Sequence, residues 1–225
     1  MKKYAVIVAG GSGQRMGTNM PKQFLLLKGK PLLHYTIQSF LLAYDDMQII
    51  LVLPHEHISK GEEIAKQLNV EERVQIISGG VTRFDSVKNG LQLVSNPSIV
   101  FVQDGVRCLV SQQLIRNCYQ QAIEKGSAIP AVSATDSIRI DEGASHYTID
   151  RNKVRIIQTP QTFQSEILLD AFSQEYDPAF TDEATVVEAT GHEVFLINGE
   201  YNNLKVTRPL DLCIAEKLLE DGFNR

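Results

Sequence analysis

The sequence predicts an α/β, Rossmann-like fold: a mostly parallel sheet with helices on both faces and an inserted β-hairpin arm. Three observations predict it. Short apolar runs and helical patterns alternate five times as far as Val132. The alternation then gives way to a period-two stretch, Ser137 to Arg151, around a turn at Asp141-Glu-Gly-Ala144. The first apolar run also leads directly into a glycine-rich loop. Repeated strand–helix alternation means βαβ units, right-handed crossovers and ligand sites at the carboxyl ends of the strands.

Each element has its own signal. Tyr4 to Ala9 is a β-branched apolar run closed by Gly10-Gly11, hence a strand. Pro31 to Ala43 reads as a helix, and Gln48 to Leu53 as a buried strand stopped by Pro54. Ser59 to Asn69 is helical and Arg73 to Ser78 a strand. Thr82 to Val94 is a helix with Phe84, Val87, Leu91 and Val94 on one face. Ile99 to Val102 is a strand ending at Asp104, and Ser111 is an N-cap for a helix to Glu124. Ala128 to Val132 is the next strand. The hairpin has Ile138, Ile140, Tyr147 and Ile149 as its apolar positions. No helix follows at once to cover it, and a two-stranded hairpin is marginal alone, so it packs either on its own domain or on a second copy of the chain. Helices at Ser165 to Gln174 and Thr181 to Thr190, a strand at Glu193 to Asn198 and a helix from about Pro209 complete the chain. The simplest organisation is one domain over residues 1–225 with an arm at about 136–156.

Composition narrows the class. At 225 residues, 43% hydrophobic and 22% charged, the chain has the make-up of an ordinary globular protein, not of a disordered or collagenous one. Its net charge of −5 argues against a general nucleic-acid binder. The three cysteines, Cys108, Cys118 and Cys213, form no CxxC pair, so a zinc cage or disulfide framework is not expected and a reducing cytoplasm is. The opening MKKYAVIVAGG is too short an apolar run for a signal peptide, and nothing approaches the 18 or so apolar residues of a membrane span.

The chemistry gathers at three strand ends. Ala9-Gly-Gly-Ser-Gly-Gln-Arg-Met-Gly17 has glycines at 10, 11 and 13, which let consecutive N–H groups curl into a phosphate-binding nest. Arg15 and Lys22 place two cations beside it, which suits a polyphosphate better than a neutral ligand. The Walker pattern is absent and the dinucleotide pattern only approximate, and the second strand ends without the acidic residue that would hold a ribose. Gly79-Gly80-Val81-Thr82-Arg83 and Ser86 end the third strand, and Asp104 ends the fourth. A single carboxylate plus substrate phosphates is how Mg²⁺ is usually held. Arg107 stands three residues on, placed either to contact an anion or to pair with Asp104. His55 and His57 read as surface histidines. Cys108 sits beside Arg107, which favours a lowered thiol pKa, but no Cys/His pair accompanies it.

At these residues the chain resembles the nucleotidyltransferases that join a sugar or polyol phosphate to a nucleotide. Asp150-Arg-Asn152, Gln158-Thr-Pro-Gln-Thr-Phe163, Thr181-Asp-Glu-Ala184 and Asn203-Leu-Lys-Val-Thr-Arg-Pro209 narrow the resemblance to the 2-C-methyl-D-erythritol 4-phosphate cytidylyltransferases of non-mevalonate isoprenoid biosynthesis. The resemblance implies an intertwined homodimer in which the arm serves dimerisation. It also implies CTP as co-substrate and Mg²⁺ as cofactor, with small-molecule substrates and neither nucleic acid nor membrane as partner. Carried over by position, Ala9, Gly10, Gly11 and Gly13 would wrap the nucleotide, with Arg15 and Lys22 on its phosphates. Gly80 and Ser86 would read cytosine and ribose, Lys205 would reach the α-phosphate and Asp104 would hold Mg²⁺. Arg107, Ser137, Arg151, Thr159 and Thr181 would bind the methylerythritol phosphate. The chain departs from the pattern at Gly105-Val106, Cys108 and Ser137, and at Val81, where an acidic residue is usual and bears on strictness for cytosine. Ribitol 5-phosphate cytidylyltransferases, which commonly read Thr-Asp-Ala-Cys at the position of Thr181–Ala184, are the alternative from the same group. A Rossmann-like dehydrogenase and a non-catalytic nucleotide-binding module are the alternatives outside it.

Overall fold

The computed structural model describes residues 1–11 and 20–222. The central strand is β1 (Lys2–Val8), flanked by two parallel neighbours, β4 (Met47–Leu53) and β6 (Ser98–Asp104). Between β1 and β4 come β2 (Leu26–Leu27) and β3 (Lys30–Pro31), which pair only with each other, and α1 (Leu32–Ala43). Helix α2 (Ile58–Leu68) leads to β5 (Val74–Ser78), parallel to β4 at the sheet edge, and α3 (Arg83–Leu91) leads on to β6. Helix α4 (Gln112–Lys125) begins at the expected cap, where Ser111 accepts a hydrogen bond from the Leu114 N–H at 2.9 Å. It ends at Gly126, whose φ of 89° is a left-handed cap that glycine adopts without steric cost.

The second half is less regular. After β7 (Ser127–Ser133), β8 (Ile138–Asp141) and β9 (His146–Ile149) form the hairpin, which pairs with nothing else in the sheet. Strands β10 (Arg155–Ile157) and β11 (Gln161–Gln164) follow. Sequence periodicity does not predict them, because both are short and β11 is polar at three of its four positions. β11 nevertheless lies inside the sheet, antiparallel to both β6 and β7. Its Gln161 is buried because side-chain hydrogen bonds satisfy it: Nε2 donates to Asp182 at 2.8 Å, and Oε1 accepts from the Ala184 N–H at 2.8 Å. Helices α5 (Ser165–Ala171) and α6 (Glu183–Glu188) are shorter than the periodicity suggests, as is β12 (Leu196–Asn198), which runs parallel to β7. Helix α7 (Pro209–Glu220) starts at the expected proline.

Helices do cover both faces, because β1 alternates. Ala5, Ile7 and Ala9 pack with residues of α1, α2 and α4, while Tyr4, Val6 and Val8 pack with residues of α3, α5 and α6. Each fully buried large aliphatic or aromatic side chain contributes about 1.5–3 kcal/mol, so these two layers hold the strand ends rigidly in place. No described helix is long and apolar enough to cross a membrane.

Candidate active site

Hydrogen bonds continue past the ends of the parallel strands. The Ala9 N–H donates to Val52 O at 3.0 Å, Gly105 N–H to Val8 O at 2.9 Å, and Gly79 N–H to Leu53 O at 2.8 Å. The loops after β1, β4, β5 and β6 are thereby held around one cleft of about 360 Å³ at the carboxyl edge of the sheet. This is where α/β folds bind ligands. Ala9, Gly10, Gly11, Lys22, Gly80 and Ser86 line it, together with Asp104 and Lys205. Gly13 and Arg15 lie outside the described residues.

Two loops of the cleft are shaped by close contacts. A Cβ on Gly11 would come within 3.0 Å of Lys22 Cε and 3.6 Å of its Nζ, so the lysine ammonium lies directly against the glycine loop. Gln23, in the turn that follows, donates to Ala9 O at 2.6 Å and anchors that turn to the end of β1. In the second loop a Cβ on Gly80 would stand 2.2 Å from Asp85 Cβ, a clash that only glycine avoids. The Gly80 N–H donates to Ser86 Oγ at 3.1 Å, and Ser86 Oγ donates to Thr82 O at 2.9 Å. Thr82 and Asp85 complete a reciprocal capping box at the start of α3. The loop from 79 to 86 therefore keeps its shape by its own bonds. Val81 projects from it, 99% exposed, on the rim of the cleft.

Charge is concentrated at Asp104. Lys205 Nζ lies 2.9 Å from Oδ2, Arg107 Nε 3.7 Å from Oδ2, and Arg83 Nη2 3.5 Å from Oδ1. Burial pushes the Asp104 carboxyl up, but the charges of Arg83, Lys205 and Arg107 outweigh it and hold the group below the usual carboxylate range. Asp104 is thus an anion at neutral pH. Arg83 is also gripped by a second carboxylate: Nη1 bonds Glu183 Oε1, and Nη2 donates to Oε2 at 3.0 Å. Glu183 is a functional candidate that sequence reasoning missed. At the first turn of a helix a glutamate reads as ordinary dipole compensation.

The remaining sequence candidates divide into four groups. Arg107 and Thr159 stand behind Asp104: Arg107 Nη1 donates to Asn203 O at 2.7 Å, and Thr159 Oγ1 accepts from the Asp104 N–H at 3.1 Å. Of the two readings of Arg107, the structure shows the pairing with Asp104; the buried guanidinium does not itself line the cleft. Ser137, Arg151 and Thr181 are exposed and do not line the cleft, and Arg151 Nη1 donates to Thr135 O at 2.8 Å. The lowered thiol pKa expected of Cys108 beside Arg107 is not found: burial pushes the thiol up to about 12, an inert group. His55 is exposed, as expected of a surface histidine, and His57 is half-buried. His55 Nδ1 lies 3.2 Å from Ser78 Oγ, and His57 stands edge-on to Phe24 at 5.3 Å.

Among the described residues, no three His, Cys, Asp or Glu side chains converge on a metal position. A divalent cation here would have one protein carboxylate, Asp104, and would depend on substrate phosphates for its other ligands. The ionised, cleft-lining Asp104 fits that pattern.

Glycine loops, two lysines and one ionised carboxylate gather at the carboxyl ends of parallel strands, a lining suited to an anionic, phosphate-bearing ligand. The family model described as 2-C-methyl-D-erythritol 4-phosphate cytidylyltransferase matches residues 4–221, and the chain belongs to that family. The protein of that name from Bacteroides fragilis is 43% identical over 219 residues, covering 97% of this chain and all of the relative. That from Phocaeicola vulgatus is 44% identical over 219 residues, with the same coverage. The crystal structure of 4-diphosphocytidyl-2C-methyl-D-erythritol synthase from Anaerococcus prevotii superposes with a TM-score of 0.83 at 25% identity, covering 97% of this chain and 96% of that one. The cytidylyltransferase structure from Thermus thermophilus gives 0.75 at 30% identity, covering 96% and 98%.

Proposed function

We propose that the cleft performs its family's reaction, transfer of CMP from CTP to 2-C-methyl-D-erythritol 4-phosphate with release of pyrophosphate, through the following residues. Ala9, Gly10, Gly11 and Gly13 wrap the triphosphate, and Arg15 and Lys22 neutralise it. Gly80 and Ser86 take the cytosine and ribose. Lys205, 43% exposed on a flexible stem beside Asp104, reaches the α-phosphate. Asp104 would hold Mg²⁺, which when bound adds positive charge against the phosphates. Arg107, Ser137, Arg151, Thr159 and Thr181 receive the acceptor. One observation carries the proposal: Lys22, Lys205 and Asp104, far apart in sequence, line one glycine-walled cleft.

The chemistry asks little else of the protein. The acceptor is a phosphate monoester whose second pKa is near 6, so at neutral pH its oxygen is already a nucleophile. No general base is needed. The barrier is repulsion between a dianion and a triphosphate, and fixed cations at set positions lower it. Among the described residues, the cleft lining holds no serine–histidine or cysteine–histidine pair.

The same proposal includes a homodimer joined through the arm. Its support is that β8 and β9 pair only with each other, while Ile140 and Tyr147 are left exposed. A cytoplasmic setting is supported by Cys108, Cys118 and Cys213, which form no disulfide. The test is pyrophosphate release from each nucleoside triphosphate against a panel containing methylerythritol phosphate and ribitol 5-phosphate. Release with CTP and methylerythritol phosphate above all other pairs is the expected result. Preference for ribitol 5-phosphate, or for another nucleotide across the rim at Val81, would overturn the substrate assignment.

A further inference from the structure

Arg83 and Glu183 are 100 residues apart and meet at the edge of the cleft. Glu183 is buried, with a side chain 1% exposed. A buried carboxylate is costly unless it is paired, and Arg83 pairs it with both terminal amino groups. The neighbouring contacts bring the same two segments together. Phe84 stacks on Phe172 at 4.8 Å and on Phe180 at 5.8 Å. Lys88 Nζ donates to Gln174 O at 3.2 Å. The stretch from 172 to 183 is thus laid along the start of α3, and its end carries Thr181, two residues before Glu183.

We infer that Arg83 and Glu183 are a positioning pair that sets the acceptor-side segment ending at Thr181 against the nucleotide-side loop from 79 to 86. Neither residue is catalytic in this role. The inference rests on the proposed reading of Thr181 as an acceptor contact.

The two sides of the pair differ in what they need from it. The nucleotide loop is held by its own capping box and by the Gly80–Ser86 bond, so it survives loss of the pair. Helix α6 has only six residues, too few to be stable alone. Its first turn has a reciprocal cap too, Asp182 with Thr185, which keeps the turn's own shape, but its placement against the rest of the chain rests on Glu183 and on Gln161, which bonds Asp182 and Ala184. Loss of the pair therefore displaces Thr181 and leaves the nucleotide loop in place.

The experiment measures KM for methylerythritol phosphate, kcat, and the dissociation constant of CTP by calorimetry, for the wild type, Glu183→Gln, Arg83→Gln and the double variant. Misplacing a positioned group by an ångström costs up to about 10²-fold, so acceptor KM in Glu183→Gln should rise roughly tenfold or more. Its CTP affinity should stay within about twofold, and the double variant should be no worse in acceptor KM than Arg83→Gln alone. Additive losses, or a fall in CTP affinity without a change in acceptor KM, would overturn the pair. If Glu183→Gln does not fold, Arg83→Lys, which keeps the charge and loses the fork, is read in the same way. A wild type that fails to turn over methylerythritol phosphate contradicts the proposed function instead, so the two failures are distinguishable.

Discussion

Arginine does different work in the cleft and in the arm. At the cleft, Arg83 on the lining and the buried Arg107 behind it both pair with Asp104, and each also reaches a distant element, Arg83 to Glu183 and Arg107 to Asn203 O. In the arm, Arg139 bonds His146 and Thr148 at 2.8 Å each within its own hairpin, and Arg155 donates to Asn152 O at 2.9 Å nearby. The cleft charges are locked by long-range contacts inside one chain. The arm keeps its polar groups satisfied locally and leaves Ile140 and Tyr147 open to solvent. A cleft braced by long-range contacts and an arm with exposed apolar side chains thus coexist in one chain, and substitutions in the two should behave differently.

The largest effect should come from the cleft. Lys22→Ala, and Arg15→Ala on the strength of its motif, should each lower kcat about 10²–10³-fold, the cost of losing one donor from a preorganised site. Steady-state pyrophosphate release measures this, and near-wild-type turnover in both would remove their assignment. In the arm the effect should fall on assembly. Tyr147→Ser with Ile140→Ser should shift sedimentation from dimer to monomer. Both positions are exposed in the single chain, so each change should alter its folding stability by no more than about 0.5 kcal/mol. A dimer that persists would move the interface elsewhere.

The smallest effect is in pH. Asp104 is held below its ordinary value, so its contribution to stability is present above the unfolded value near 3.9 and is lost only as pH falls through the lower, folded one. The acceptor phosphate protonates near 6. Turnover should therefore decline below about pH 6 while the melting temperature holds to about pH 4. A melting curve that falls together with activity would show that a group in the fold, not the acceptor, sets the limit.

Much of this was legible in the residues. Glycines after an apolar run, a carboxylate ending the fourth strand and an N-cap at Ser111 each act through local backbone chemistry, and local chemistry is what a linear sequence records. Strand β11 and Glu183 were not legible, for the opposite reason. β11 is polar in sequence and is buried only because Asp182 and Ala184, about twenty residues on, satisfy Gln161. Glu183 acquires meaning only when Arg83 is brought to it by the packing of α3 and α6 on one face of the sheet. The roles of Arg107 and Thr159 fall between these cases: their motifs were visible, but their position behind Asp104 depends on the loop that carries Asn203.

A crystal structure of the CTP complex bears most directly on the cleft. The triphosphate should lie between the Gly10-Gly11 loop and the ammonium groups of Lys22 and Lys205, with the Asp104 carboxylate facing the same space. A nucleotide bound elsewhere, or bound here with Lys22 and Asp104 turned away from its phosphates, would contradict the assignment.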